Sequence, residues 1–302
     1  MKTIFYVMCM LLFLSNCQPV AEEWDAEEEY WISLFNGKDL SDWNVKMAGY
    51  PTDDNYKETF VVEDSMIRVK YDNYEKFNDV FGHMYYKTPF SYYKIKFDYR
   101  FLGEQLEGGA SWNVRNSGIM FHSQSAESNE LGQGFPVSVE LQLLGGLGEG
   151  ERTTANVCTP GTAVVMADTI NYDHCISSTS ETYHGDQWVH VEALVMGGEE
   201  MTFIVEGDTV LNFQKPQIGG GFLSEEQEGR DWDQFKIIRD KENWISKANT
   251  VLTEGYIALQ AESHAIDFKN ISLLDLCGCM DESAKNYKKY FVCSLPDKCI
   301  YN

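Results

Sequence analysis

Along residues 94–101 the chain alternates strictly, with Ile95, Phe97, Tyr99 and Phe101 set against Lys94, Lys96, Asp98 and Arg100. Successive side chains of an extended strand point to opposite faces, so this stretch offers one face to a core and one to water. Shorter runs of strand character recur at residues 60–62, 66–69, 137–143, 188–192, 201–205 and 265–271, and no segment of comparable length carries a helical stripe. Glu206-Gly207-Asp208 separates residues 201–205 from 209–213 as a tight hairpin turn does. Many short strands whose apolar faces all need cover predict an all-β fold, a jelly-roll sandwich of two antiparallel sheets. Glycine-bearing loops at residues 103–110, 145–150 and 219–221 would rim a pocket on one sheet, and none has the strand-to-helix setting of a phosphate loop.

The segments flanking this body read differently. Lys2, an apolar run from Ile4 to Leu14 and then Leu14-Ser15-Asn16-Cys17 form an export signal, residues 1–17, ending in a lipobox-like site with Cys17 as the lipidated residue. Asn16 is unusual before such a cysteine, so cleavage without lipidation is the alternative. Residues 18–29 read as an acidic tether, 30–275 as the jelly roll and 276–302 as a small cysteine-rich tail. The expected location is therefore the outer membrane or cell surface, held by a lipid anchor, or else the periplasm or the medium. A formal net charge of −23 repels nucleic acid. In an exported chain Cys158, Cys175, Cys277, Cys279, Cys293 and Cys299 fit disulfides, with Cys158 and Cys175 bracketing an irregular segment and three internal pairings open to the last four. A structural zinc in the tail is the rival, although the Cys277-Gly278-Cys279 spacing is short for one.

Three stretches carry the candidate chemistry. Glu140 and Gln142 share one face of their strand while Val139 and Leu141 share the other, which makes Glu140 the first choice for a catalytic or cation-binding group over a merely half-exposed strand residue. His122 ends the apolar strand Asn116-Ser117-Gly118-Ile119-Met120-Phe121 and is either a base or ligand or a structural histidine. Gln260, Glu262 and His264 fall on one side if the chain stays extended, the rival being ordinary polar dressing of an edge strand. Arg115 beside Asn116 is a candidate clamp for a hydroxyl or carbonyl, and Trp112 a candidate sugar platform, against solvent-facing and core alternatives. A divalent cation held by some of His122, Glu140, Glu262 and His264 would supply positive charge, but the chain has no His-Glu-x-x-His run and no EF-hand loop. A Gly-x-Ser-x-Gly elbow is also absent.

Residues 31–43 (Trp31-Ile32-Ser33-Leu34-Phe35-Asn36-Gly37-Lys38-Asp39-Leu40-Ser41-Asp42-Trp43), Asn116 to His122, Val139-Glu140-Leu141-Gln142, Gly255-Tyr256-Ile257-Ala258-Leu259-Gln260 and Phe268-Lys269-Asn270-Ile271 together resemble the 3-keto-disaccharide hydrolase family. That family is also described as 3-keto-glucoside 1,2-lyase and 3-keto-2-hydroxyglucal hydratase. The resemblance spans residues 30 to 275 and implies a concanavalin-like jelly roll that attacks glycosides already oxidised at C3. Many relatives carry Asp-His after the glutamine that is here Gln260, where this chain has Ala261-Glu262, and Arg is commoner at the position of Lys269. A lysine keeps the charge but not a bidentate contact.

The implied reaction needs few groups. A ketone at C3 acidifies the proton on C2, so a base removes it, the oxygen on C1 leaves, and water adds to the resulting double bond. The requirements are a base, a proton donor for the leaving oxygen and a hydrogen-bonding or positive group over the enediolate. The competing readings are a non-catalytic jelly roll that binds glycan and a conventional glycoside hydrolase with paired carboxylates.

Overall fold

The computed structural model describes residues 25–219 and 240–301. Cys17, the export signal and residues 18–24 of the tether lie outside the described residues, as do Gly220 and Gly221. The strands in chain order are β1 (Ile32–Ser33), β2 (Trp43–Met47), β3 (Phe60–Glu63), β4 (Met66–Val69), β5 (Gly82–Tyr86), β6 (Tyr92–Leu102), β7 (Asn116–Ser123), β8 (Val139–Leu144), β9 (Asn156–Cys158) and β10 (Thr162–Met166). They continue as β11 (Thr169–Asn171), β12 (Cys175–Ile176), β13 (Val189–Met196), β14 (Glu200–Val205), β15 (Asp208–Ile218), β16 (Tyr256–Ala261), β17 (Ala265–Asp275), β18 (Cys277–Gly278) and β19 (Cys293–Ser294).

One sheet has ten strands in the order β11-β10-β15-β14-β13-β6-β17-β4-β3, with β1 also on β17, and the other has seven in the order β12-β9-β8-β7-β16-β5-β2. Every pairing within the two sheets is antiparallel. The result is the jelly-roll sandwich of two antiparallel sheets expected from the alternation, with the concanavalin-like form that the family resemblance implies. Tyr93, Ile95, Phe97, Tyr99 and Phe101 of β6 face Ile119 and Phe121 of β7, Leu141 of β8 and Leu259 of β16 across one continuous core. The β14–β15 hairpin turns at Glu206 (φ 51°) and Gly207 (φ 90°), two left-handed residues that match the twist of the flanking strands.

Three disulfides tie the periphery. Cys158 on β9 pairs with Cys175 on β12, closing the excursion in which β10 and β11 cross to the ten-stranded sheet. In the tail Cys277 pairs with Cys293 and Cys279 with Cys299. Residues 25–29 lie against that tail: the Lys288 ammonium donates to the Asp25 carbonyl and sits 3.8 Å over the Tyr30 ring, while Lys289 pairs with Glu27.

On the outer face of the ten-stranded sheet Asp267 of β17 is completely buried between two arginines. Its carboxylate accepts from Arg68 Nε at 2.6 Å and Nη2 at 3.0 Å, and from Arg100 Nε at 3.1 Å and Nη2 at 2.9 Å. Removing one member of such a network strands the others' charges. Asp267→Ala is expected to lower the unfolding free energy by about 3 kcal/mol in urea titration, with Asp267→Asn losing less; a loss too small to measure would show the network to be ornamental.

Candidate active site

The outer face of the seven-stranded sheet is polar at one end and apolar at the other. Tyr85, Met120, Ala126 and Ala258 form a separate small apolar cluster at the covered end. Toward the other end the register sets Lys46 opposite His83, His83 opposite Gln260, Gly118 opposite Gln142 and Gln142 opposite Asn156. Core packing fixes this: Ile119, Leu141, Val157 and Leu259 are held inward, so their polar neighbours on each strand must point out.

A cavity of about 600 Å³ opens over this surface, lined by Asn116, Glu140, Gln142, Arg152 and Glu262, with Trp112, Phe135 and Leu147 among its apolar walls. Glu140 and Glu262 are only 5% and 2% exposed. The Glu140 carboxyl lies over Gly118, where a Cβ would come 2.4 Å from Glu140 Oε1. Burial pushes the Glu140 carboxyl well above the ordinary carboxylate range. Burial, and after it the Glu140 charge, does the same to Glu262. Two carboxyls that share one cavity and raise each other's affinity for protons titrate as a pair, retaining at least one proton near neutrality.

Around the pair, Gln142 Oε1 accepts from Asn156 Nδ2 at 3.1 Å, and Asn116 Nδ2 donates to the Trp112 carbonyl at 3.2 Å, leaving Asn116 Oδ1 without a partner. Gln260 is fully buried with both side-chain amide atoms unpartnered among the described residues, while its backbone carbonyl accepts from Ser117 Oγ at 2.9 Å. Trp112 is 53% exposed at the rim. The disulfide between Cys158 and Cys175 forms part of the wall.

Other candidates stand elsewhere. The Arg115 guanidinium donates to Asp186 Oδ1 at 2.6 Å and to the Gly185 carbonyl at 2.9 Å and does not line the cavity. Arg152 takes that place, held by donating to the Gly145 carbonyl at 2.6 Å and the Arg115 carbonyl at 3.2 Å. His122 has a left-handed backbone (φ 47°) at a bulge between β7 and β16, and its Nε2 lies 2.9 Å from the Gly197 carbonyl, across the core edge from the cavity. His264 follows Ser263 (φ 74°), which breaks the extended run after Glu262 and turns the imidazole to the edge of Phe101, 5.6 Å between centroids. Burial lowers both imidazoles to about 4. Lys269 is on the opposite sheet, its ammonium 3.8 Å from the centre of the Trp188 ring. His122, Glu140, Glu262 and His264 therefore do not assemble, and among the described residues no three His, Cys, Asp or Glu side chains are placed to hold a metal.

Reading the sequence overlooked Arg152 and His83. Arg152 lies two residues beyond the 145–150 rim loop, which was the available signal. His83 sits on β5 beside Gln260, buried with Nε2 unpartnered, and burial together with the Lys46 charge lowers it to about 3, so it is a neutral imidazole at physiological pH.

The model of the 3-keto-alpha-glucoside-1,2-lyase-like domain matches residues 30–274, both sheets up to the last residue of β17. The chain belongs to that family. Two proteins of Parabacteroides distasonis provisionally named glycosyl hydrolases are 18% and 16% identical to this lyase-like chain, over 81% of it in each case and over 93% and 98% of their own lengths, with TM-scores of 0.45 and 0.47. A carbohydrate-binding module of Bacillus subtilis is 9% identical over 69% of this chain and 86% of its own, with a TM-score of 0.37. Among curated proteins no sequence match is found.

The raised carboxyls of this lyase-like domain have a consequence for stability. As pH climbs past the ordinary value of 4.5 the unfolded chain sheds these protons while the folded chain keeps them. The pair's contribution is thus fully present below about pH 4.5 and is lost as pH rises toward the folded values. Glu262→Gln is expected to melt with the parent at pH 4 and about 2–4 °C higher at pH 8 for each kcal/mol relieved; equal melting temperatures at both pH values would contradict the buried protonated pair.

Proposed function

We propose that this cavity cleaves 3-keto-glycosides by elimination and hydration. The observation that carries the reading is the buried carboxyl pair, Glu140 and Glu262, in one cavity with the Arg152 guanidinium. Burial raises both carboxyls and their like charges oppose double ionisation, so the pair passes through a state that holds one proton; in the proposed mechanism Glu140 is the base and Glu262 the acid. Glu140 as carboxylate takes the proton from C2. The electron pair of that C–H bond forms the C1=C2 double bond, and the C1–O bond breaks with its electrons on the departing oxygen, which receives the proton of Glu262. Water then adds across the double bond with the proton transfers reversed.

Negative charge spreads onto the C3 oxygen as C2 is deprotonated, and Arg152 sets a fixed positive charge in the cavity wall. Gln142 and Asn116 offer amide groups to ring hydroxyls, and Trp112 offers a face to the sugar. In this reading the enzyme works outside the cytoplasm, tethered through a lipidated Cys17.

The protein lacking residues 1–17 is expected to turn over 3-keto-glucosides and leave unoxidised glucosides intact. In D₂O the released 3-keto sugar carries deuterium at C2 after hydration. Glu140→Gln, which keeps shape and loses the base, is expected to cut turnover by about 100-fold or more with the circular dichroism spectrum unchanged. Turnover without deuterium at C2, once internal return of the same proton is excluded by following exchange in recovered substrate, would contradict elimination. Inactivity on both α- and β-linked 3-keto substrates, with and without divalent cations, would favour a glycan-binding module instead.

A further inference from the structure

A second hollow of about 230 Å³ adjoins the carboxyl-pair cavity and shares Trp112 and Phe135 with it. Its walls are aromatic. The Trp112 ring lies parallel to Phe81, 11° between planes and 6.2 Å between centroids, and Phe81 meets Phe135 at 4.7 Å. Gly132 and Gly134 line it without side chains, and among the described residues Asp79 is the one charged side chain in its lining. The mouths of the two hollows carry apolar groups that a soluble surface ordinarily covers: Trp112 is 53% exposed, Leu147 56%, and Leu131, next to Gly132, 55%.

Continuity with the cavity fixes what this hollow can receive. A glycoside whose sugar ring lies over Glu140 and Glu262 can send the group attached at C1 past the shared Trp112 and Phe135. A second sugar would bring several hydroxyls, each needing a partner, into a space that offers Asp79 and little other side-chain polarity. Anionic leaving groups would meet the Asp79 carboxylate. A flat aromatic ring instead matches both the parallel Trp112–Phe81 pair and the tilted Phe135, and exchanges exposed aromatic surface for stacking.

We propose that this hollow is the leaving-group subsite and that it selects aromatic alcohols, making aryl 3-keto-glycosides the preferred substrate class. The proposal rests on the cleavage reading above. An aryl oxygen accepts the electron pair of the C1–O bond and the proton of Glu262, as any leaving alcohol does, so the subsite adds recognition without adding a step.

The test is a ratio. Wild-type protein is expected to show a KM for phenyl 3-keto-glucoside about tenfold below that for methyl 3-keto-glucoside, the ratio being read from KM because phenoxide is also the better leaving group. Trp112→Ala should collapse that ratio toward one and Trp112→Phe should retain most of it. A ratio near one in the wild type, or one that survives Trp112→Ala, overturns the proposal. Saturation-transfer NMR with unoxidised phenyl and methyl glucosides separates this failure from failure of the cleavage reading, because it needs no turnover. Transfer concentrated on the phenyl protons and lost in Trp112→Ala supports the subsite even in an inactive protein, and transfer that is absent or equal for the two ligands overturns it.

Discussion

The placement of the Glu140 carboxyl over Gly118 is the contact on which the site depends. A residue with any side chain at position 118 would take the space that the carboxyl fills. Glu140 would then be displaced from the floor of the cavity, and the electrostatic coupling that helps raise Glu262 would weaken with it. The sandwich supplies the rest of the geometry. Ile119, Phe121, Val139, Leu141 and Leu143 anchor β7 and β8 inward, so a one-residue slip of either strand would exchange the carboxyl for an apolar side chain.

Holding two buried carboxyls in one cavity costs folding free energy at neutral pH, and the surrounding structure offsets it. The continuous aromatic and aliphatic core, the disulfide between Cys158 and Cys175 and the Asp267 network on the far sheet contribute stability away from the site. Such a division of labour is what a site needs when its own groups are destabilising in the free protein and useful only toward a reacting ligand. The Gln260 amide and Asn116 Oδ1, unpartnered among the described residues, belong to the same pattern of unmet polar capacity beneath the cavity.

Period-two patterning made the sheets legible, because burial of one strand face is a local property of the sequence: residues 94–101 and 201–205 became strands with the faces the pattern implied, as did 139–143 of the expected run 137–143, whose first two residues stay outside the strand. It also put Glu140 and Gln142 together on one face, and Gln260 with Glu262. The pattern failed where the backbone left the extended region. Left-handed residues at His122 and Ser263 turned the two histidines out of the expected constellation. Whether Arg115 or Arg152 reaches the cavity was not legible at all, since it is decided by Asp186, a partner 71 residues away in sequence from Arg115. Lys269 illustrates the same limit: its strand is in the family pattern, but only sheet order shows that it lies on the other side of the sandwich.

Everything proposed for the cavity requires Glu140 and Glu262 to form one buried, proton-sharing pair. Carbon-13 chemical shifts of the glutamate side-chain carboxyls, followed through a pH titration and assigned with Glu140→Gln and Glu262→Gln, test it most directly. The account predicts two resonances that titrate well above the ordinary value near 4.5, with the Glu262 resonance moving to a lower midpoint in Glu140→Gln. Two independent transitions near 4.5, each indifferent to removal of the other, would contradict it.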